Sequence, residues 1–150
     1  MGLDMYLNKH TYVQHWEHNG DNNYEVTVTK AGKPTNINPK KIKYIIEEAG
    51  YWRKANAIHN WFVENVQKGV DNCSDYYVDT DDLEKLLDAC EKVKADHSLA
   101  DSLLPSASGF FFGGTEYDEW YFNSIDNTIE ILKEALADDS DSSYYYSSSW

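Results

Sequence analysis

Residues 51–62 hold the side chains with the richest potential chemistry. On a helix, Arg53, Asn56 and Asn60 would follow one another at spacings of three and four and form a polar stripe beside the small Ala57. A guanidinium group binds phosphate or carboxylate, and amides offer both donors and acceptors. The stripe therefore predicts a site for an anionic, base-like ligand, with an ordinary exposed helix face as the alternative.

Aromatic side chains would complete such a site. Glycines flank three phenylalanines at residues 109–113, and a loop of this kind turns sharply while presenting a ring for stacking on a flat ligand. A buried strand edged by turns is the alternative, and the order of residues matches neither a dinucleotide fingerprint nor a phosphate-binding Walker loop. The candidate ligand-binding residues are Tyr51, Arg53, Lys54, Asn56, Asn60, Phe111, Tyr117 and Trp150.

Acid–base chemistry would fall to His59, Asp118 and Glu119, if the protein is an enzyme. Each has a simpler explanation. His59 lies among core-facing residues, where a hydrogen-bonded structural histidine is expected, and the two carboxylates open a helix whose positive end they complement. The sequence contains no HExxH, no CxxC and no Gly-x-Ser-x-Gly. It therefore predicts no metal and no cofactor, and gives catalysis no positive support.

Charge divides the chain into two unlike halves. Residues 1–70 carry a balance of +2 and residues 71–150 a balance of −15, which together make the net charge of −13. So acidic a surface repels nucleic acid, and no nucleic-acid partner is expected. A solvated surface is the simplest interpretation. The alternative is a DNA-mimicking decoy that captures a host protein through Asp81, Asp82, Glu84 and Asp88.

The apolar runs are far shorter than the roughly 20 residues of a membrane helix, so no membrane contact is expected. The sequence does not show a charged start followed by an apolar segment, so export is not expected. Cys73 and Cys90 are interpreted as free thiols of a reducing cytoplasm, with Cys90 in the core.

The elements that would position these residues form one α+β domain over residues 1–150. We expect a small antiparallel sheet, made of an N-terminal hairpin and a C-terminal strand, packed with about four helices. The hairpin would pair a strand around Leu3–Leu7 with Tyr24–Thr29. Helices are predicted over residues 38–49 and 51–67, from Thr80 to about Val93, and from about Tyr117 to Asp138, with a short strand at 73–78 and the tail 144–150 as a strand or docked arm.

Several motifs along the chain resemble those of a functionally uncharacterised family of small phage, prophage and bacterial proteins. They are the opening Met-Gly-Leu-Asp-Met-Tyr-Leu, the segment Tyr-Trp-Arg-Lys-Ala-Asn-Ala-Ile-His, Gly-Phe-Phe-Phe-Gly, Tyr-Asp-Glu and the closing Ser-Ser-Trp. The family has no settled activity, so the resemblance implies a setting, the cytoplasm of a bacterial host, and by association a counter-defence role.

Three functions follow from these residues and this setting. The leading hypothesis is a protein that sequesters a nucleotide-derived small molecule, in a site of the kind that often forms within a homo-oligomer. The alternatives are a hydrolase of the same class of ligand and the acidic decoy.

Overall fold

The computed structural model describes residues 2–109 and 113–150 and shows an α+β fold, as the sequence predicts. The strands of this part of the chain are β1 (Asp4–Tyr12), β2 (Thr29–Lys30), β3 (Lys33–Pro34), β4 (Tyr44–Arg53), β5 (Tyr76–Val78) and β6 (Ser142–Ser149). Its α-helices are α1 (Asn56–Asn65), α2 (Thr80–Ala95), α3 (Ala100–Leu103) and α4 (Glu119–Ala137). Four strands form an antiparallel sheet in the order β4-β1-β6-β5, and β2 pairs with β3 alone.

The two ends of the described chain meet in the middle of the sheet. β1 and β6 pair antiparallel from Asp4 opposite Ser149 to Thr11 opposite Ser142. Strand alternation turns Leu3, Met5 and Leu7 to one face, where all three are fully buried. The prediction that the tail is an ordered strand is confirmed.

Helices α2 and α4 cover that face and begin where their sequences predict. Asp79 accepts a hydrogen bond from Asp82 N at 2.8 Å, and Asp118 accepts one from Tyr121 N at 3.2 Å, so each aspartate caps its helix. The buried stripe of α2 includes Cys90, which is fully buried as expected.

The predicted helix over residues 38–49 is wrong. Asn38 does accept a hydrogen bond from Lys40 N at 3.0 Å, but the turn it caps ends at Lys41. β4 follows and pairs with β1 along its whole length. The apolar residues spaced as on a helix include Ile45 and Ile46, but on β4 they point to opposite faces and are 41% and 57% exposed, so their spacing does not mark a buried stripe. β-Branched side chains suit a strand instead.

The predicted helix over residues 51–67 is correct only in its later part, because Tyr51 to Arg53 belong to β4 and α1 begins at Asn56. The predicted hairpin partner of β1 is also wrong. Residues 24–28 form no strand, and β4 takes the place beside β1. Tyr24 is 54% exposed, and the alternating Val26 and Val28 are only half-buried, so the segment covers part of one face without pairing with a strand.

Gly50 allows α4 to close onto β4. A Cβ at this position would lie 2.5 Å from Ile131 Cγ2, well inside van der Waals contact. Nearby, Asn127 Nδ2 of α4 donates to the carbonyl oxygen of Tyr51 at 3.3 Å. These contacts fix α4 against the C-terminal half of β4, and residues of both elements line the site described next.

Candidate functional site

A cavity of about 430 Å³ opens where the end of β4, the start of α1 and the start of α4 meet. Its volume lies within the range typical of small-molecule sites. Polar, charged and aromatic groups converge on it, among them Arg53, Lys54, Asn56, Gly114, Asp118 and Trp120.

A strained turn at the end of β4 places Arg53 and Lys54 at the cavity. Lys54 has a φ of 54°, in the left-handed region that non-glycine residues avoid at a cost of roughly 1–3 kcal/mol. Its backbone N–H donates to the carbonyl oxygen of Leu3 at 2.8 Å, which holds the turn in place. Gly113, itself at a φ of 81°, packs so closely that a Cβ there would lie 3.3 Å from Lys54 Cβ. Ala31 and Lys68 have the same conformation outside the described lining of the cavity, so the strain positions Lys54 but does not by itself mark a site.

The loop between α3 and α4 forms a second wall, and Asn56 ties it to α1. Asn56 is 5% exposed; its Nδ2 donates to Gly114 O at 2.7 Å, and its Oδ1 accepts from Ala107 N at 3.0 Å. The amide thus bridges the two limbs of the loop. Asn56 lines the cavity, and these two bonds give it a role in shaping the loop.

Tyr117 braces the same loop from outside. Its hydroxyl donates to Asp101 Oδ1 at 2.7 Å and accepts from Ser106 N at 3.3 Å. Tyr121 adds a buried bond from its hydroxyl to Leu104 O at 2.7 Å. Phe111, the predicted stacking residue, lies outside the described residues.

Electrostatics at the cavity favour an anion near the β4 wall. Arg53 and Lys54 take part in none of the ion pairs formed between described residues. The positive end of α4 opens at the same cavity. Asp118 and Glu116 supply opposing negative charge, although Asp118 is engaged as the helix cap. Within the part of the chain that the structure describes, a ligand would therefore break no ion pair of Arg53 or Lys54.

Trp120 is an aromatic site residue that the sequence analysis missed. It lines the cavity and is 81% exposed, more than the other large hydrophobic side chains described. Its position relative to the buried Tyr121 and Ile125 places it off the apolar stripe of α4. An indole that follows two carboxylates at a helix start, off the apolar stripe, was a signal that could have found it.

His59 lies in the core, in a hydrogen-bond chain with Tyr146 and Asp71. His59 is 1% exposed; its Nδ1 lies 2.6 Å from the Tyr146 hydroxyl and its Nε2 lies 2.9 Å from Asp71 Oδ1. With the proton on Nε2, the imidazole donates to Asp71 and accepts from Tyr146. Burial lowers the pKa of His59, and the nearby Asp71 only partly opposes this. Burial likewise raises the pKa of Tyr146.

The predicted acid–base group is therefore not brought together. Asp118 lines the cavity, whereas His59 and Glu119 stand outside its described lining. His59 instead has the structural, hydrogen-bonded position that was its simpler explanation.

The remaining predicted ligand contacts lie away from the described lining of the cavity. Tyr51 donates its hydroxyl to Asp4 on the open face of the sheet, and Asn60 is half-buried on α1. The indole of Trp150 donates to Asp71 Oδ1 at 3.2 Å, at the end of the His59 chain. The cavity thus unites Arg53, Lys54 and Asn56 and leaves Tyr51, Asn60, Tyr117 and Trp150 outside.

No family model, curated protein or solved structure matches the chain. Within residues 2–109 and 113–150, no group of three or more histidine, cysteine or acidic side chains could hold a metal ion. Nor does this part of the chain contain a helix long and apolar enough to cross a bilayer.

Proposed function

We propose that the protein binds and sequesters a nucleotide-derived small molecule in the cavity between β4, α1 and α4. One observation carries the proposal: Arg53 and Lys54, both outside every ion pair among described residues, share a cavity with the 81% exposed indole of Trp120. Cations and an open aromatic face are the two contacts that a phosphorylated base requires.

The phosphate would bind at the β4 wall. The planar guanidinium of Arg53 offers paired donors that match phosphate oxygens, and Lys54 adds a second positive charge beside it. The tight turn at Lys54 fixes the backbone of both residues before a ligand arrives, so only their side chains need to be ordered on binding.

The base would stack on Trp120. An indole offers a large flat surface, and stacking of a base on an aromatic side chain contributes about 1–3 kcal/mol. The loop carried by Asn56 lies beside it, so backbone groups near Gly114 are within the same cavity.

Binding without turnover is favoured over hydrolysis because of the chemistry at the cavity. Asp118 accepts the capping bond of α4, and His59 is held in the core by Tyr146 and Asp71. Glu116 is the other carboxylate of the described lining, which contains no histidine or cysteine to act with it. The resemblance to phage and prophage proteins supports a counter-defence role in the bacterial cytoplasm, where tight capture of a host nucleotide would suffice.

The decoy alternative has weaker support, because basic side chains interrupt the acidic face of α2. Asp88 pairs with Lys92 at 2.8 Å, and Lys94 pairs with Asp126 at 3.2 Å. A face of mixed sign matches the uniform charge of DNA poorly.

Native mass spectrometry of the protein purified from bacterial cells, followed by calorimetric titration with linear and cyclic nucleotides, tests the proposal. We expect a retained or added nucleotide mass, and a dissociation constant weakened about tenfold or more by Arg53→Ala and by Trp120→Ala. Trp16→Ala is the matched control, because Trp16 is exposed but stands outside the described cavity lining.

Nucleotide binding that is equally tight in wild type, Arg53→Ala and Trp120→Ala would refute the site. Failure of every nucleotide to bind would refute the function. Conversion of a bound nucleotide into product, followed by chromatography, would replace sequestration with the hydrolase alternative.

A further inference from the structure

The outer edge of β4 is covered along only half of its length. At the C-terminal half, α4 packs against Gly50 and donates a hydrogen bond to the Tyr51 carbonyl. Tyr44–Glu48, the N-terminal half, lies at the end of the sheet order, with β1 on its other side only. We call these five residues the open edge. Proteins ordinarily cover, bend or block such an edge, because it can pair with another strand.

The backbone geometry shows which groups of the open edge point outward. Val13 N donates to Lys43 O at 2.8 Å, so the backbone groups of Lys43 face β1. Orientation alternates along an antiparallel strand, and the register is unbroken from Tyr44 to Glu48. The N–H and C=O groups of Tyr44, Ile46 and Glu48 therefore face away from β1, and no hydrogen bond recorded between described residues uses them.

The side chains of this segment are apolar at its centre and oppositely charged around it. Tyr44, Ile45 and Ile46 are 52%, 41% and 57% exposed. Lys43 lies two residues before Ile45 and Glu47 two residues after it, so all three project to one face of the strand. The segment is thus charge-complementary to its own copy when that copy runs antiparallel about Ile45.

We propose that the open edge pairs with the open edge of a second copy of this chain, antiparallel and with Ile45 opposite Ile45. Lys43 then lies opposite Glu47 of the second copy, twice by symmetry, at positions where opposite charges attract. On the other face, Tyr44 lies opposite Ile46 of the second copy. Two four-stranded sheets join into one continuous sheet about a two-fold axis.

Alternative registers fit less well. A shift by one residue would place residues whose backbone groups face their own β1 opposite residues whose backbone groups face the other copy. Such pairs cannot form the hydrogen bonds of an antiparallel sheet. One neighbouring register sets Ile46 opposite itself, and it then puts Ile45 opposite Glu47 and Tyr44 opposite Glu48. The other sets Tyr44 opposite itself; it puts Ile45 opposite Lys43 and requires Glu47 and Glu48 to pair with Lys41 and Lys40, which lie in the helical turn before β4. The register centred on Ile45 keeps its pairs within the extended segment and sets Lys43 opposite Glu47.

The charge asymmetry of the chain also favours this edge as the contact. The open edge belongs to residues 1–70, whose balance is +2, while the balance of −15 lies in residues 71–150. Contact through the first half therefore avoids opposing the two acidic halves directly.

Analytical ultracentrifugation of the full chain, over micromolar concentrations and at low salt, tests the inference with charge variants. We expect a wild-type dimer whose dissociation constant rises about tenfold or more in Lys43→Glu and in Glu47→Lys, since each change sets like charges opposite each other twice. The double variant Lys43→Glu/Glu47→Lys restores opposite pairs and should restore the dimer. Circular dichroism checks that each variant is folded.

Ile46→Pro gives an independent test, because it removes an outward N–H that the single chain does not use. A folded Ile46→Pro variant should be monomeric. A wild-type chain that is monomeric throughout, a dimer unaffected by Ile46→Pro, or a double variant that stays as weak as the single ones would each overturn the proposal. None of these outcomes depends on whether a nucleotide binds the cavity.

Discussion

Acidification should destabilise the fold through His59. In the folded chain its ring is buried between Tyr146 and Asp71, and burial holds its pKa below the ordinary value of 6.5. In the unfolded chain the ring is in water and takes up a proton as the pH falls through that value. The unfolded state then binds more protons than the folded state, so the free energy of unfolding decreases as the pH falls.

The size of this effect follows from one proton. A single-proton difference changes the free energy of unfolding by about 1.4 kcal/mol per pH unit, so the loss from pH 7.5 to pH 5 is at most about 2 kcal/mol. Full stability is present above pH 6.5, and the loss stops once the folded chain is protonated as well. Asp138 does not enter this window, because Lys9 lowers the pKa of its carboxyl below the ordinary 3.8.

Urea denaturation at several pH values between 5 and 7.5 measures the effect. His59→Phe, which keeps a buried ring but cannot titrate, should be less stable at neutral pH yet lose much less stability on acidification. Tyr146→Phe is the matched control, since it removes the hydroxyl bonded to Nδ1 and leaves His59 buried; its pH slope should remain. An equal pH slope in wild type and His59→Phe would show that this histidine is not the source.

Two further predictions test the packing of the fold and its thiols. Gly50→Ala should lower the free energy of unfolding by about 1 kcal/mol, because overpacking against Ile131 outweighs the gain in backbone entropy. Ile131→Ala should then cost less stability in the Gly50→Ala background than in wild type. Strictly additive effects of the two changes in chemical denaturation would contradict this. In the native protein a disulfide reagent should react with the exposed Cys73 and not with Cys90, because burial makes the Cys90 thiol inaccessible and raises its pKa to about 12. In denaturant both thiols should react. Two fast-reacting thiols in the native protein would contradict the prediction.

The sequence predicted the fold best where local signals agreed with burial. α2 and α4 combine a capping aspartate with an apolar stripe that covers the sheet, so pattern and tertiary structure point to the same element. β4 was mistaken for a helix because its isoleucines repeat at helical spacing, while the feature that decides its conformation is pairing with β1, about forty residues away. Non-local pairing leaves no local mark in the sequence.

Only some of the residues that line the cavity were predicted, because contacts between distant elements are again not visible in the sequence. Arg53 and Asn56 were singled out as neighbours on one helix, and they do share the cavity, but from the end of a strand and the start of a helix. Trp150 was grouped with them because of its type, and its indole instead binds Asp71. Residue types alone identified side chains that could bind an anionic ligand. The structure was needed to show that β4, α1 and α4 meet at one cavity.

The central pairing of β1 with β6 also determines when the chain can fold. Asp4 and Ser149 are opposite each other although nearly the whole chain separates them, and such long loops close slowly. During synthesis, β1 has only β4 to pair with until β6 emerges from the ribosome, at about 5–20 residues per second. For those seconds the edge of β1 that β6 will cover is open, and an open edge can pair with a strand of another chain.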